Sequence, residues 1–177
     1  MSWVEAAKFV NWLSSGDVNT GVYSFSGSAL TGINRSYRNG NDLAYVLPTE
    51  NEWYKAAYYK PVNDGSYSLY SSGLDSEPST NGWNYNPAHE FKPAWETGSG
   101  GQEQNGTYDM MGNVWGWTES LSAETLRGGS AYAPANYLSS TNGYYIADAT
   151  EQANYGFRVV AIPEPSSVAI MLMVGTG

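Results

Sequence analysis

An α+β chain of two helices, short strands and long loops is what this sequence predicts, and three observations carry the prediction. Two Ser/Thr-x-x-Glu boxes, Ser2-Trp-Val-Glu5 and Thr49-Glu-Asn-Glu52, each open a stretch of helical period. Short runs rich in β-branched and aromatic residues, Val22-Tyr-Ser-Phe25, Val114-Trp-Gly-Trp117 and Gly156-Phe-Arg-Val-Val-Ala161, suit strands of a few residues. Between them the chain is rich in Gly, Ser, Asn and Tyr and only 14% charged, so turns dominate and the surface is polar through hydroxyls and amides.

In the first box the Ser2 hydroxyl is placed to accept the Glu5 amide hydrogen while the Glu5 carboxylate reaches back to the Ser2 amide. The spacing predicts a helix over about 3–13, with Trp3, Ala6, Ala7, Val10 and Leu13 as its buried face and Gly16 as its stop. From Ser14 to Tyr45 the pattern supports one short strand or hairpin at 22–25 and otherwise loop. The second box, with Pro48 before it, predicts a helix over about Glu50 to Tyr58. Pro61 to Gln104 carries Asp-Gly, Ser-Gly, Asn-Gly and Asn-Pro pairs but no period, and so long a loop inside a domain needs an organiser, which a bound ion would supply.

With 177 residues the chain has room for one domain, expected over residues 1–161, followed by a tail over 162–177. Its net charge of −9 and scattered basic residues exclude nucleic acid as the expected partner and favour cations over anions. The absence of cysteine excludes disulfides, thiolate metal sites and thiol nucleophiles. The start lacks the basic and apolar segments of a secretory signal, so the protein is either cytoplasmic or lacks its beginning here. Val168 to Val174 is far shorter than the roughly 20 residues that span a bilayer.

Few residues suit catalysis. His89 is the single histidine, and one imidazole builds neither a multi-histidine iron site nor, without a nucleophile elbow, a hydrolase triad; in a polar loop it reads as exposed. Asp109 and Asn113 read as turn formers, Trp115 and Trp117 as packing residues of one strand face, and Arg127 and Arg158 as internal hydrogen-bond donors. The stretch 131–145 is dense in Tyr, Ser and Asn, the chemistry of adaptable binding loops, which makes Tyr132, Asn136, Tyr137, Asn142, Tyr144 and Tyr145 a candidate ligand surface.

Taken together, Ser2-Trp-Val-Glu-Ala-Ala-Lys-Phe, Leu47-Pro-Thr-Glu-Asn-Glu-Trp53, Tyr108-Asp-Met-Met-Gly-Asn-Val-Trp115, Arg127-Gly-Gly-Ser130 and Gly156-Phe-Arg-Val-Val160 resemble the formylglycine-generating enzyme, or sulfatase-modifying factor, family. The resemblance implies a C-type-lectin-like α+β fold, two helices with small twisted antiparallel sheets and much loop. Members usually carry further N-terminal strands, so the domain is expected to be incomplete at that end. Active members use two cysteines to bind copper and oxidise a sulfatase cysteine, and those positions fall on Ala133 and Leu138. Neither carries sulfur, so copper and the oxidase activity are not expected.

The resemblance also implies a calcium site made by the Asp109 side chain and the Gly112 and Val114 carbonyls, weakened because the usual Glu between the tryptophans is Gly116 here. A second site would use Asn84 and the Tyr85 carbonyl. Ile162-Pro-Glu-Pro-Ser-Ser and the apolar run after it resemble the start of a PEP-CTERM sorting signal, implying a Gram-negative bacterium and export to the envelope or exterior, with membrane attachment only through a complete tail. The expectation is a non-catalytic, exported, lectin-like binding or structural module whose partner is a polysaccharide or surface protein. The alternatives are a formylglycine-generating oxidoreductase, disfavoured by the missing cysteines, and a retroelement-diversified ligand-binding protein, since related variable proteins diversify the region of 131–145.

Overall fold

Both capping boxes form. In the computed structural model, which describes residues 1–40, 43–61, 65–86, 88, 92–120, 124–146 and 151–163, α1 spans Trp3–Ser15 and α2 spans Glu50–Tyr58. Ser2 N donates to Glu5 Oε2 at 2.7 Å, and Glu5 N donates to Ser2 Oγ at 3.3 Å. Thr49 and Glu52 repeat the exchange at 2.8 and 3.2 Å. α1 stops where Gly16 adopts φ +81° and its N–H closes on the Trp12 carbonyl at 2.7 Å, a left-handed cap that glycine enters without strain.

Trp3, Ala6, Ala7 and Val10 are buried as the spacing predicts, but Leu13 is 37% exposed and Asn11 and Ser14 take its place inside. The cause is a two-way bond between a side chain and a strand. Asn11 Nδ2 donates to Tyr23 O at 2.8 Å, and Asn11 Oδ1 accepts from Tyr23 N at 2.9 Å. A buried amide satisfied on both sides outweighs the apolar spacing in choosing the helix face.

The chain divides into a unit of Met1–Ala6 and Leu47–Arg158 and a smaller unit of Ala7–Val46 and Val159–Gly177. In the smaller unit, β1 (Tyr23–Ser26) and β2 (Ala29–Ile33) form the expected antiparallel hairpin. β3 (Leu43–Val46) falls where loop was predicted, and it pairs antiparallel with the distant β8 (Val160–Pro163). In the larger unit a four-stranded sheet runs β6 (Tyr144–Ile146), β5 (Glu124–Arg127), β4 (Trp115–Trp117), β7 (Tyr155–Phe157). Its pairs are antiparallel except β4 with β7, which run parallel with Trp115 opposite Tyr155.

The single strand expected over Gly156–Ala161 is therefore two. β7 and β8 part at Arg158 because they join different sheets, which a continuous β-branched run does not reveal. A short 3₁₀ helix, Ala135–Leu138, follows the Gly-Gly-Ser motif. Among the described residues no helix is long and apolar enough to cross a membrane. His89 and the tail after Pro163 lie outside the described residues.

Among its described residues the long loop of 61–104 holds no helix and only an isolated bridge, Tyr67 with Tyr59. Polar side chains organise it. Glu103 is 3% exposed, and its carboxylate accepts from Ser71 Oγ at 2.7 Å, Thr107 Oγ1 at 2.9 Å, Met110 N at 3.0 Å and Met111 N at 3.1 Å. Next to it Gln104 Nε2 donates to Ser68 Oγ at 2.6 Å, and Asn105 Nδ2 donates to Ala56 O at 3.1 Å and Tyr59 O at 2.9 Å. Asn105 thereby satisfies carbonyls that the end of α2 leaves open.

Burial raises the Glu103 carboxyl above its ordinary value of 4.5, while the bonds from Ser71, Thr107, Met110 and Met111 oppose that rise. A carboxyl whose folded value lies above its unfolded one stabilises the fold below pH 4.5, and this contribution is lost as pH rises through the folded value. Carbon NMR of Glu103 together with urea unfolding across that window should show the raised titration and the falling stability. Glu103→Ala would strand two backbone N–H groups and two hydroxyls, and it should lower stability by at least about 3 kcal/mol at neutral pH. Thr49→Ala should destabilise by about 1 kcal/mol in the same unfolding measurement, with Thr49→Ser close to wild type.

Candidate functional site

An open cleft of about 300 Å³ lies over β4 and β7, lined by Trp115, Ser130, Tyr132, Ala133, Pro134, Tyr137, Tyr144, Asn154 and Tyr155. Trp115 forms its floor at 7% exposure, with Tyr137 edge-on at 5.8 Å and Tyr144 tilted at 5.7 Å. Parallel pairing brings Tyr155 beside Trp115, and Tyr155 also meets Trp117 at 5.2 Å. Burial raises the Tyr155 hydroxyl above its ordinary value, as does the neighbouring Tyr144, so it stays protonated and donates or accepts at neutral pH.

Of the predicted ligand surface, Tyr132, Tyr137 and Tyr144 line this cleft. Asn136 and Tyr145 are exposed outside its lining. Asn142 serves the loop instead, its Nδ2 donating to Asn136 O at 2.7 Å. Ser130, Pro134, Asn154 and Tyr155 are the lining residues that the sequence does not single out. Trp115 reads as packing, which its burial bears out, and only the β4–β7 pairing reveals that its remaining surface floors a cleft.

The two positions expected to carry cysteine in active relatives behave differently. Ala133 is in the cleft wall at 7% exposure, whereas Leu138 is fully buried. Gly128 and Gly129 explain the close packing here. A Cβ on Gly128, at φ +93°, would stand 2.3 Å from the Met110 carbonyl. Arg127 then locks the turn: its Nε donates to Glu50 Oε1 at 2.9 Å, its Nη2 forms an ion pair with the same oxygen, and its Nη1 donates to the Ser140 and Asn142 carbonyls at 3.3 and 2.5 Å.

The residues expected to hold calcium sit in two neighbouring turns. Asp109 and Asn113 adopt φ +55° and +61°, a region open to Asp and Asn, and they pin the segment before them. Asp109 Oδ2 accepts from Gly98 N at 2.7 Å; Asn113 Oδ1 accepts from Trp95 N at 2.7 Å and Asn113 Nδ2 donates to Trp95 O at 3.2 Å. Gly112 N donates to Gly128 O at 2.7 Å, joining this turn to the Gly-Gly motif. Asp109, Val114 and Gly116 line a second cavity of about 90 Å³, together with Trp53, Arg127 and Arg158.

A single carboxylate faces two arginine residues in that lining, whereas calcium takes roughly six to eight oxygen ligands. The donor set does not fit a hard divalent cation. At the second predicted site Lys92 Nζ donates to the Tyr85 carbonyl at 3.3 Å, putting an ammonium where the cation would bind. Asn84 Nδ2 donates to Pro93 O and Asn113 Oδ1, and its buried Oδ1 keeps one open acceptor, which with Tyr85 O falls short of a cage. Among the described residues no three Asp, Glu, His or Cys side chains gather as a metal site.

Residues 1–162 match the sulfatase-modifying factor enzyme 1-like domain family. Solved structures share the fold. Treponema denticola variable protein 1 superposes with a TM-score of 0.65 at 20% identity, over 93% of this chain and 70% of its own. CarF does so with a TM-score of 0.68 at 21% identity, over 93% of this chain and 66% of its own. This chain thus spans about two thirds of the length of each. No curated protein gives a significant match.

Because Arg127 carries a two-point bond to Glu50 and two carbonyls, Arg127→Lys should destabilise by about 1–3 kcal/mol. Hydrogen exchange at residues 139–143 should accelerate with it; unchanged protection there would contradict the role given to the guanidinium.

Proposed function

Because the chain belongs to the sulfatase-modifying factor enzyme 1-like domain family, we propose that it is a non-catalytic, exported binding module of that family, holding a polysaccharide or surface-protein segment across the Trp115 cleft. One observation carries this reading: among the described residues the cleft is lined by aromatic rings, hydroxyls and an amide, with no thiol, imidazole or carboxylate. Such a lining suits contact with the apolar faces of sugars or side chains and hydrogen bonding to their polar groups. It offers no activated nucleophile and no sulfur ligand for copper.

Ala133 stands in the cleft wall and Leu138 in the core, so the two positions that carry cysteine in active relatives supply packing here. Ile162-Pro-Glu-Pro-Ser-Ser and its apolar run support export through a sorting tail. A second reading, ligand binding by a diversified loop, is supported by Tyr132, Tyr137 and Tyr144, which bring the stretch 131–145 into the cleft. A template repeat beside the gene separates the two readings.

The test is a titration of glycans and surface-protein peptides against the chain, with and without calcium. Binding is expected to weaken about tenfold, or about 1.4 kcal/mol, in Tyr144→Ser, whose ring is 45% exposed and whose loss should leave Tm unchanged. A sulfatase peptide incubated with the chain, copper and oxygen should return unmodified. Formylglycine in that peptide would overturn the non-catalytic reading, and a Tyr144→Ser variant that binds as well as wild type would remove the cleft from it.

A further inference from the structure

Trp53 is 2% exposed, and its indole Nε1–H has no acceptor among the described residues. That donor borders the space left by Gly116, where a Cβ would stand 3.1 Å from Trp53 Nε1, and both residues line the cavity of about 90 Å³ described above. Arg158 lines it too. Its Nη2 donates to the Tyr108 carbonyl at 2.5 Å, leaving most of the guanidinium's donors for something else. Burial lowers the Arg158 guanidinium from its ordinary value, against the pull of Glu103 and Asp109.

Three other polar residues of the lining are engaged. Arg127 is held by Glu50 and two carbonyls, the Asn113 amide by Trp95 and Asn84, and one Asp109 oxygen by Gly98 N–H. What the cavity leaves unmatched among the described residues is the buried Trp53 donor, with the Arg158 guanidinium in the same lining. Thr97 is exposed at its rim and gives a path from solvent.

We propose that this cavity binds a small planar carboxylate of one or two carbons, of formate or acetate size, through Trp53 Nε1–H and the Arg158 guanidinium. The cavity of about 90 Å³ has room for such an anion beside the two donors. A carboxylate matches the guanidinium fork in plane and spacing and has a second lone pair for the indole. The Asp109 carboxylate in the same lining weakens the anion's hold, so binding falls in the millimolar range. The site is separate from the Trp115 cleft, and its test does not depend on what that cleft binds.

Nitrogen–proton spectra of the full chain, titrated with sodium formate or acetate against sodium chloride at equal ionic strength, read the Trp53 indole directly. The Trp53 cross-peak should shift saturably with either carboxylate and stay in place with chloride. Gly116→Glu should abolish that response by supplying a tethered carboxylate, and it should melt at a higher temperature than Gly116→Gln. An indole peak unmoved by acetate, or moved equally by chloride, overturns the proposal. Gly116→Glu melting no higher than Gly116→Gln would do the same.

Discussion

A single buried carboxylate organises the loops of the larger unit. Glu103 gathers the hydroxyls of Ser71 and Thr107 and the amides of Met110 and Met111, so segments far apart in sequence converge on one point. The turn that begins at Met110 and Met111 then carries Gly112, bonded to Gly128, and leads directly into β4. The cleft floor, the Gly-Gly turn and the small cavity beside Trp53 all inherit their positions from this junction. Burying an acceptor is tolerable because it is fully bonded, and the same bonding makes its removal severe.

How much of this the sequence disclosed depends on how local each signal is. The capping boxes lie within four residues, so α1 and α2 were legible to within a turn of their ends. Leu13 was misjudged because the competing partner of the helix is the Tyr23 backbone, reached by Asn11 rather than by an apolar side chain. β5 and β6 are too short to display a period, and the division between β7 and β8 depends on which distant strand each one meets. Glu103 gave no signal at all, since a glutamate in a turn-rich stretch looks solvated until its partners are known.

The site follows the same rule. Tyr132, Tyr137 and Tyr144 stand out from local composition and share one cleft, whereas Trp115 and Tyr155 join them only through a parallel pairing across some forty residues of chain. Asp109 and Asn113 were legible as turn residues because left-handed backbone favours them, but the backbone atoms they pin, at Trp95 and Gly98, were not. The family resemblance marks Gly116 as a position where relatives carry Glu. The unbonded Trp53 indole beside Gly116 required the structure.

Internal hydrogen bonds to Glu103, Gln104 and Asn105 hold the described part of the long loop and its turns. Native-state hydrogen exchange of the Met110 and Met111 amides, measured in protein stripped of divalent cations, addresses this most directly. Exchange limited by global unfolding, and unchanged on adding calcium, is the result predicted for amides held by Glu103. Rapid exchange that calcium suppresses would contradict it.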